Sequence, residues 1–144
     1  MGISLTPEER FEVFGDADPE QYEEEVQERW GETDAYEQSK RRTSSYSKDD
    51  WLRIKAEGAD LEARFAAALR SGAAPDSAAA MDLAEEHRQQ ITRNFYDCPP
   101  EMHAGLGRMY VEDERFTAHY EEIAPGLAQY VSTAVQANAA RQGA

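Results

Sequence analysis

Hydrophobic side chains recur every three or four residues along most of this chain, which is the spacing of one face of an α-helix. No stretch alternates apolar and polar residues for long enough to indicate a β-strand. The clearest helical stretch lies between a capping Ser47 and a terminating Gly72, and its apolar positions are Trp51, Ile54, Leu61, Phe65 and Leu69. The pattern therefore predicts an all-α protein.

Start and stop signals divide the rest of the chain into further helices. Ser77 is placed to cap a second long helix, and the Pro99-Pro100 pair must end it because a residue before proline avoids the helical region. Pro100, Asp113 and Pro125-Gly126 then open three more helices. The sequence thus predicts a domain over residues 47–144, in which five helices lie between residues 47 and 139.

The segment 1–46 has a different character. Thr6-Pro7-Glu8-Glu9 is a capping box with proline at the first helical position, and Asp18-Pro19 and either Thr33 or Asp34 suggest two further helix starts. These helices are short, and helices under about 12–15 residues are marginal without tertiary support. We expect residues 1–46 to form a flexible arm.

The arm carries aromatic side chains that it cannot bury within itself. One interpretation is permanent docking on the helical domain; the other is a lid that becomes ordered over an apolar ligand. The sequence alone leaves both open. The candidate lid residues are Phe11, Phe14, Tyr22, Trp30 and Tyr36, and Tyr46 belongs to the same aromatic set.

Charge narrows the possible partners. The net charge is −14, and residues 1–39 hold 13 acidic and 2 basic side chains, a net of −11. Such a segment repels phosphate backbones, so we expect no direct nucleic-acid binding. The first residues lack the basic and apolar regions of a secretory signal, and no apolar run approaches the roughly 20 residues of a membrane span. These features predict a cytoplasmic protein.

The single cysteine, Cys98, is the main candidate for covalent chemistry. The helix opened by Pro100, with His103 one turn into it, could lower the thiol pKa, whereas Asp97 would raise it. A lone cysteine more often fills space in a core, and this interpretation is favoured. The histidines show no metal-ligand spacing, and no phosphate-binding loop or hydrolase motif is present. No metal, no cofactor and no enzymatic activity are predicted.

Six segments make the chain resemble one known family. It is similar to the TipAS drug-binding domain of thiostrepton-induced MerR-class transcriptional activators, and the similarity runs over nearly all 144 residues. The segments that carry the resemblance are LTPEERFEVFGD, YEEEVQERWGETDAY, EGADL, YDCPPEMH, MYVEDERFT and PGLAQYVSTAVQANA.

The resemblance implies a globin-like all-α domain that binds thiopeptide antibiotics, or similar hydrophobic macrocycles, in a cleft. It also implies an arm that folds over the drug, and a domain that either follows a DNA-binding head or acts in a stand-alone form that sequesters the drug. By position in the YDCPPEMH region and the following helix, the expected cleft residues are Phe95, Tyr96, Met102, His103, Leu106 and Tyr110.

The chain departs from the family at one position. The family's drug-capturing cysteine lies seven residues after the YDC cysteine, and that position is Gly105 here. The resemblance matches Cys98 to the other, non-attacking cysteine. Binding is therefore expected to be non-covalent unless Cys98 substitutes as a reactive thiol. Gly105 and Gly107 are also expected to leave room for a bulkier ligand.

The sequence leaves two alternative functions open. A covalent-transfer enzyme would need a reactive Cys98 thiol. A constitutive protein-interaction module without a small-molecule ligand would keep the arm permanently docked.

Overall fold

The structure, a computed structural model, describes residues 3–15 and 22–143, apart from the side chain of Glu23. Helix starts predicted at Asp18-Pro19 lie outside the described residues. The described part of the chain contains helices and no strand, which confirms the all-α prediction. The helices are α1 (Pro7–Phe14), α2 (Glu23–Trp30), α3 (Asp34–Thr43), α4 (Lys48–Arg70), α5 (Ala78–Asn94), α6 (Pro100–Glu112), α7 (Glu114–Ile123) and α8 (Leu127–Arg141).

The helix starts follow from local hydrogen bonds. Thr6 and Glu9 form the reciprocal capping box at α1, with Glu9 N–H donating to Thr6 Oγ1 at 3.2 Å and Thr6 N–H donating to Glu9 Oε1 at 3.0 Å. Ser47 and Asp50 form the same exchange at α4. Each side-chain oxygen accepts from an N–H group that has no partner inside the helix, which stabilises the helix start.

Contacts divide the chain into two compact units. Unit 1 comprises Met1–Glu57 and Ile91–Asp97, and unit 2 comprises Gly58–Gln90 and Cys98–Ala144. The division falls inside α4 and α5, whereas the sequence placed the arm boundary at residues 46 and 47. The movement of the arm, 1–46, stays a prediction.

Unit 2 is built around α8. Along this helix the buried positions include Leu127, Val131 and Val135, and apolar side chains of α4, α5, α6 and α7 complete the same core. Glu121 on α7 fixes the start of α8, because its carboxylate accepts hydrogen bonds from the Gly126 and Ala128 N–H groups at 2.8 and 3.1 Å. The last helix is thus the centre of this core.

Unit 1 has a smaller core, in which Val13 and Trp51 are buried. Its polar contacts join α3 to the end of α5. Arg42 donates to the Thr92 carbonyl at 2.6 Å and to Asp97 Oδ1 at 3.2 Å. The carbonyl groups of a final helical turn lack helical partners, so Arg42 stabilises the end of α5.

Candidate ligand-binding site

An aromatic cluster surrounds Trp51 in unit 1. Phe14, the last residue of α1, meets the Trp51 ring edge-on with centroids 5.4 Å apart. Tyr46 meets it edge-on at 5.6 Å, and Phe95 lies 6.2 Å away in a tilted arrangement. These are favourable aromatic geometries, worth about 0.5–1.5 kcal/mol per pair beyond area burial. We call these four side chains the Trp51 cluster.

Two lysines on either side of Trp51 hold α1 against α4. Lys48 and Lys55 lie three residues before and four residues after Trp51, so all three share one face of α4. Lys55 Nζ donates to the Val13 carbonyl at 2.5 Å, near the negative end of the α1 dipole, and Lys48 pairs with Glu12. Both contacts hold Phe14 on the Trp51 ring.

Hydrogen bonds fix the opposite side of the cluster. The Tyr46 hydroxyl donates to the Asn94 carbonyl at 2.5 Å, and the Asn94 amide donates to Glu57 at 3.3 Å. Gln38 accepts the Asp97 N–H at 2.8 Å. The segment that carries Phe95 is therefore held to α3 and α4 by side-chain contacts.

The indole nitrogen of Trp51 is a buried polar atom within the Trp51 cluster. Trp51 is 6% exposed, and its Nε1–H has no hydrogen-bond partner among the described residues. Phe14 and Phe95 offer no acceptor, and the Tyr46 hydroxyl is oriented toward Asn94. A buried indole N–H usually finds a partner.

Unit 2 contains a second polar group, a histidine pair. Nδ1 of His87 on α5 lies 2.8 Å from Nε2 of His103 on α6. His103 is 1% exposed, and its Nδ1 has no hydrogen-bond partner within residues 3–15 and 22–143. Burial lowers the pKa of His87 to about 4. Burial, and then the nearby His87 and Arg88, lower the pKa of His103 to about 3, so both rings are neutral near pH 7.

Cys98 is buried two residues before the start of α6, the helix that carries His103. Arg88 donates a hydrogen bond to the Cys98 backbone carbonyl at 2.9 Å. Burial raises the pKa of the thiol to about 11, although the Arg88 charge acts in the opposite direction. Thiols of this kind are largely protonated at neutral pH and poor nucleophiles.

The structure places the six expected cleft residues in different environments. Phe95 and Tyr96 are partly buried in unit 1. In unit 2, Met102 is 39% exposed, and Leu106 is partly buried against the core. The remaining two, His103 and Tyr110, are buried within unit 2 at 1% and 7% exposure.

The expected lid residues also differ from one another. Phe14 belongs to the Trp51 cluster, whereas Phe11 on the same helix is 68% exposed. Tyr22 is 43% exposed. Trp30 is covered by the Arg29 guanidinium at 4.4 Å, and Tyr36 lies 5.9 Å from Lys40.

Trp51 was not among the residues that the sequence placed in a ligand site. Its helical spacing with Ile54 and Leu61 indicated an ordinary core position. The available signal was a tryptophan one turn after the Ser47 cap and five residues after the aromatic Tyr46.

Gly105 and Gly107 of α6 are not equivalent. A Cβ at Gly107 would lie 2.9 Å from Val135 Cγ1 and 3.0 Å from Gln136 Nε2, so α8 fills the space that was expected to admit a bulkier ligand. That expectation is wrong for Gly107. At Gly105 a Cβ would meet only the Arg108 side chain, at 3.5 Å.

The described residues show neither a cluster suited to a metal ion nor a helix suited to a membrane. Among residues 3–15 and 22–143, no three His, Cys, Asp or Glu side chains are placed to hold one metal ion. In that same part of the chain, no helix combines the length and apolar character needed to cross a membrane.

The described part of the chain is thus an all-α domain with an aromatic cluster around one indole group. Residues 22–138 match the model of the TipAS antibiotic-recognition domain. The chain belongs to this family, and the globin-like all-α class expected from the resemblance is confirmed.

Relatives with known roles agree with this assignment. The chain is 61% identical over 141 residues to the HTH-type transcriptional activator TipA of Streptomyces coelicolor, covering 98% of this chain and 56% of that protein. It is 37% identical to the transcriptional activator mta of Bacillus subtilis, covering 79% of this chain and 43% of that protein. The chain thus spans about half the length of these relatives, which are transcriptional regulators.

Two solved structures are also similar. TipAS of Streptomyces lividans in complex with nosiheptide, from a thiopeptide antibiotic multidrug resistance system, superposes with a TM-score of 0.90 at 59% identity. That match covers 99% of this chain and 100% of the other. The antibiotic-binding domain of a TipA-class multidrug resistance regulator gives a TM-score of 0.60 at 51% identity, covering 65% of this chain and all of that domain.

Proposed function

We propose that this chain binds thiopeptide antibiotics of the nosiheptide type, and that it acts by binding rather than by catalysis. The observation that carries the proposal is the match along almost the whole chain to TipAS in its complex with nosiheptide. The match to TipA extends the proposal to transcription: within a longer activator, drug binding here would be passed to a DNA-binding head. As a stand-alone domain it would sequester the drug.

The Trp51 cluster is the part of unit 1 best suited to such a ligand. Thiopeptides are large, apolar and rich in flat heterocycles, and aromatic side chains recognise flat rings by offset or edge-on contact. Phe14 brings part of the arm into this cluster. We therefore propose that Phe14, Trp51, Phe95 and Tyr96 contact the drug, and that the lid set Phe11, Phe14, Tyr22, Trp30 and Tyr36 becomes ordered around it.

In unit 2, we propose contact through two side chains of α6, Met102 and Leu106. His103 and Tyr110 are buried, so we assign them to supporting α6 rather than to direct contact. His103 does this through its hydrogen bond to His87.

Binding is proposed to be non-covalent. By the resemblance, position 105 corresponds to the family's capturing cysteine, and it is glycine here; the Cys98 thiol is buried with its pKa raised to about 11. A thiol in this state adds slowly to a dehydroalanine double bond, because the thiolate is the nucleophile.

Calorimetric titration tests the proposal. We expect nosiheptide and thiostrepton to bind saturably at a one-to-one ratio, an unrelated apolar macrocycle such as cyclosporin A to give no saturable heat, and intact mass to be unchanged after dialysis. Phe14→Ala should weaken binding by roughly 10-fold, since an aromatic contact is lost. Leu52→Ala is the control: Leu52 on α4 is 39% exposed and belongs to neither the Trp51 cluster nor the lid set, so we expect a smaller effect. Absence of saturable binding would refute the function.

The contacts of α1 favour a second candidate, the constitutive interaction module. Lys48, Lys55 and Trp51 already hold α1 on α4. Amide hydrogen exchange without ligand separates the two functions. Slow exchange of the α1 amides, unchanged by nosiheptide, favours permanent docking, whereas fast exchange that slows on adding drug favours the lid.

A further inference from the structure

The indole N–H of Trp51 is a hydrogen-bond donor for which the part of the chain that the structure describes supplies no acceptor. The rings of Phe14, Tyr46 and Phe95 pack near the Trp51 ring, and Trp51 is 6% exposed. An unpartnered buried donor destabilises the folded state, because it has lost its hydrogen bonds to water. Substitution by an apolar ring of the same shape would remove that cost.

Two aromatic rings, those of Phe14 and Tyr46, pack edge-on against Trp51. Phe14 and Tyr46 both present their rings to Trp51 at steep angles, 67° and 70°. Tyr46 is fixed by its hydrogen bond to Asn94, whereas Phe14 ends α1, a helix of 8 residues whose polar contacts with α4 include those of Lys48 and Lys55. Helices this short are marginal without tertiary support. Phe14 is therefore the ring of the Trp51 cluster whose displacement costs the least free energy.

We propose that Trp51 determines ligand specificity: its indole N–H donates a hydrogen bond to a ring nitrogen or amide oxygen of a flat heterocyclic ligand inserted beside Phe14. This rests on the proposed function and adds to it the chemical class that is selected. A ligand with an acceptor at this position satisfies the donor, whereas an equally apolar ligand without one leaves it buried and unpaired. Selection by an unsatisfied polar group is stronger than selection by shape.

The test replaces the donor without changing the ring. The chain has two tryptophans, so the Trp30→Phe variant leaves Trp51 as the single site for a tryptophan analogue. In that background Trp51 is replaced by 3-benzothienylalanine, whose sulfur occupies the position of the N–H group. Trp30→Phe with ordinary tryptophan at position 51 is the matched control. Nosiheptide is the probe.

We expect two changes of opposite sign. The benzothienyl variant should unfold at a higher urea concentration than its control without ligand, because an unpartnered donor is gone. It should bind nosiheptide about 5- to 20-fold more weakly, because the hydrogen bond to the ligand is lost. A merely structural role would move stability and affinity in the same direction.

Nuclear magnetic resonance gives an independent measurement on the otherwise unaltered chain. Its two indole N–H signals are assigned by the loss of one in Trp30→Phe. On adding nosiheptide, the Trp51 signal should move downfield by about 0.5 ppm or more and exchange more slowly with solvent.

The outcomes separate the inference from the function on which it rests. Saturable nosiheptide binding with equal affinity in the benzothienyl variant and an unmoved Trp51 signal would overturn the specificity role and leave the proposed function standing. No saturable binding by the unaltered chain would overturn both.

Discussion

His87 and His103 are hydrogen-bonded to each other in unit 2, with Nδ1 of the first 2.8 Å from Nε2 of the second. One ring donates and the other accepts, so at least one ring must stay neutral to supply the acceptor nitrogen. Their neighbours include the Arg88 guanidinium and the Glu85 carboxylate, which pair with each other. Burial dominates, and it lowers both histidine pKa values.

This pair predicts loss of stability at mildly acidic pH. The folded pKa values are about 4 and about 3, whereas unfolded histidine titrates near 6.5. The unfolded chain therefore takes up protons that the folded chain does not, and the free energy of unfolding falls as the pH drops from about 6.5 toward 4. We expect a loss of about 1–2 kcal/mol per histidine at pH 5.

Urea denaturation at pH 7 and pH 5 measures the effect. The His103→Gln variant should be less stable at pH 7 but show a shallower dependence on pH. Equal stability of the unaltered chain at the two pH values would contradict the neutral pair. The Glu85 carboxylate contributes in a separate window, below pH 4.5, because its pKa is lowered to about 2.

Glu85 is predicted to matter more than its neighbour Glu86. Glu85 accepts hydrogen bonds from Arg88, Asn138 and Gln142, and Asn138 is fully buried. Glu85→Gln leaves the Arg88 charge without its partner, and we expect a loss of about 2–3 kcal/mol. Glu86 pairs with Arg64 where both side chains are about half exposed, so Glu86→Gln should cost less than about 1 kcal/mol. Urea denaturation at pH 7 measures both, and equal losses would refute the distinction.

Alanine at Gly107 and at Gly105 should have opposite effects. At Gly107 the new Cβ would press on Val135, and we expect a loss of about 1–3 kcal/mol. At Gly105 the new Cβ meets only a flexible arginine, and the higher helix propensity of alanine should add up to about 1 kcal/mol. Thermal unfolding measures both variants. Stabilisation by Gly107→Ala would show that α6 and α8 can separate slightly at no cost.

Cysteine at position 105 should install covalent capture. The space around Gly105 accepts a side chain, and its thiolate can add to the terminal carbon of a dehydroalanine, with the proton moving to the adjacent carbon. The new C–S bond replaces one carbon–carbon π bond, so the mass increases by that of the whole drug. We expect this adduct for Gly105→Cys incubated with a dehydroalanine-bearing thiopeptide, and none for the unaltered chain.

The unaltered chain provides the control through Cys98. Its buried thiol should react with iodoacetamide at least about 100-fold more slowly in buffer than in urea, because the folded chain hides the thiol and raises its pKa. A thiopeptide adduct on Cys98 of the folded chain would contradict the proposal of non-covalent binding.

The sequence predicted the helices well because their ends depend on local chemistry. Thr6 and Ser47 cap the helices they were expected to cap, since each side chain accepts from an N–H only three residues away. Pro99 is extended and Pro100 is the first residue of α6, as the steric limits on proline and on the residue before it require. Caps and prolines act over a few residues, so the helix starts that they set can be predicted from the local sequence.

The candidate site was less predictable because its contacts join distant parts of the chain. Phe11 and Phe14 share a helix and a similar pattern, yet Phe14 alone meets a ring 37 residues away in sequence. His103 was expected to line a cleft, but burial against His87 depends on the packing of α5 and α6. Periodicity gives the face of a helix and does not say what covers that face.

The central position of α8 has a consequence for synthesis in the cell. Leu127, Val131 and Val135 are the last core residues of unit 2 to leave the ribosome, and α4 to α7 expose their apolar faces until then. Chaperone binding to nascent chains should therefore persist until the final helix has been released. Shortening the chain before Leu127 should give an aggregating product rather than a smaller folded one.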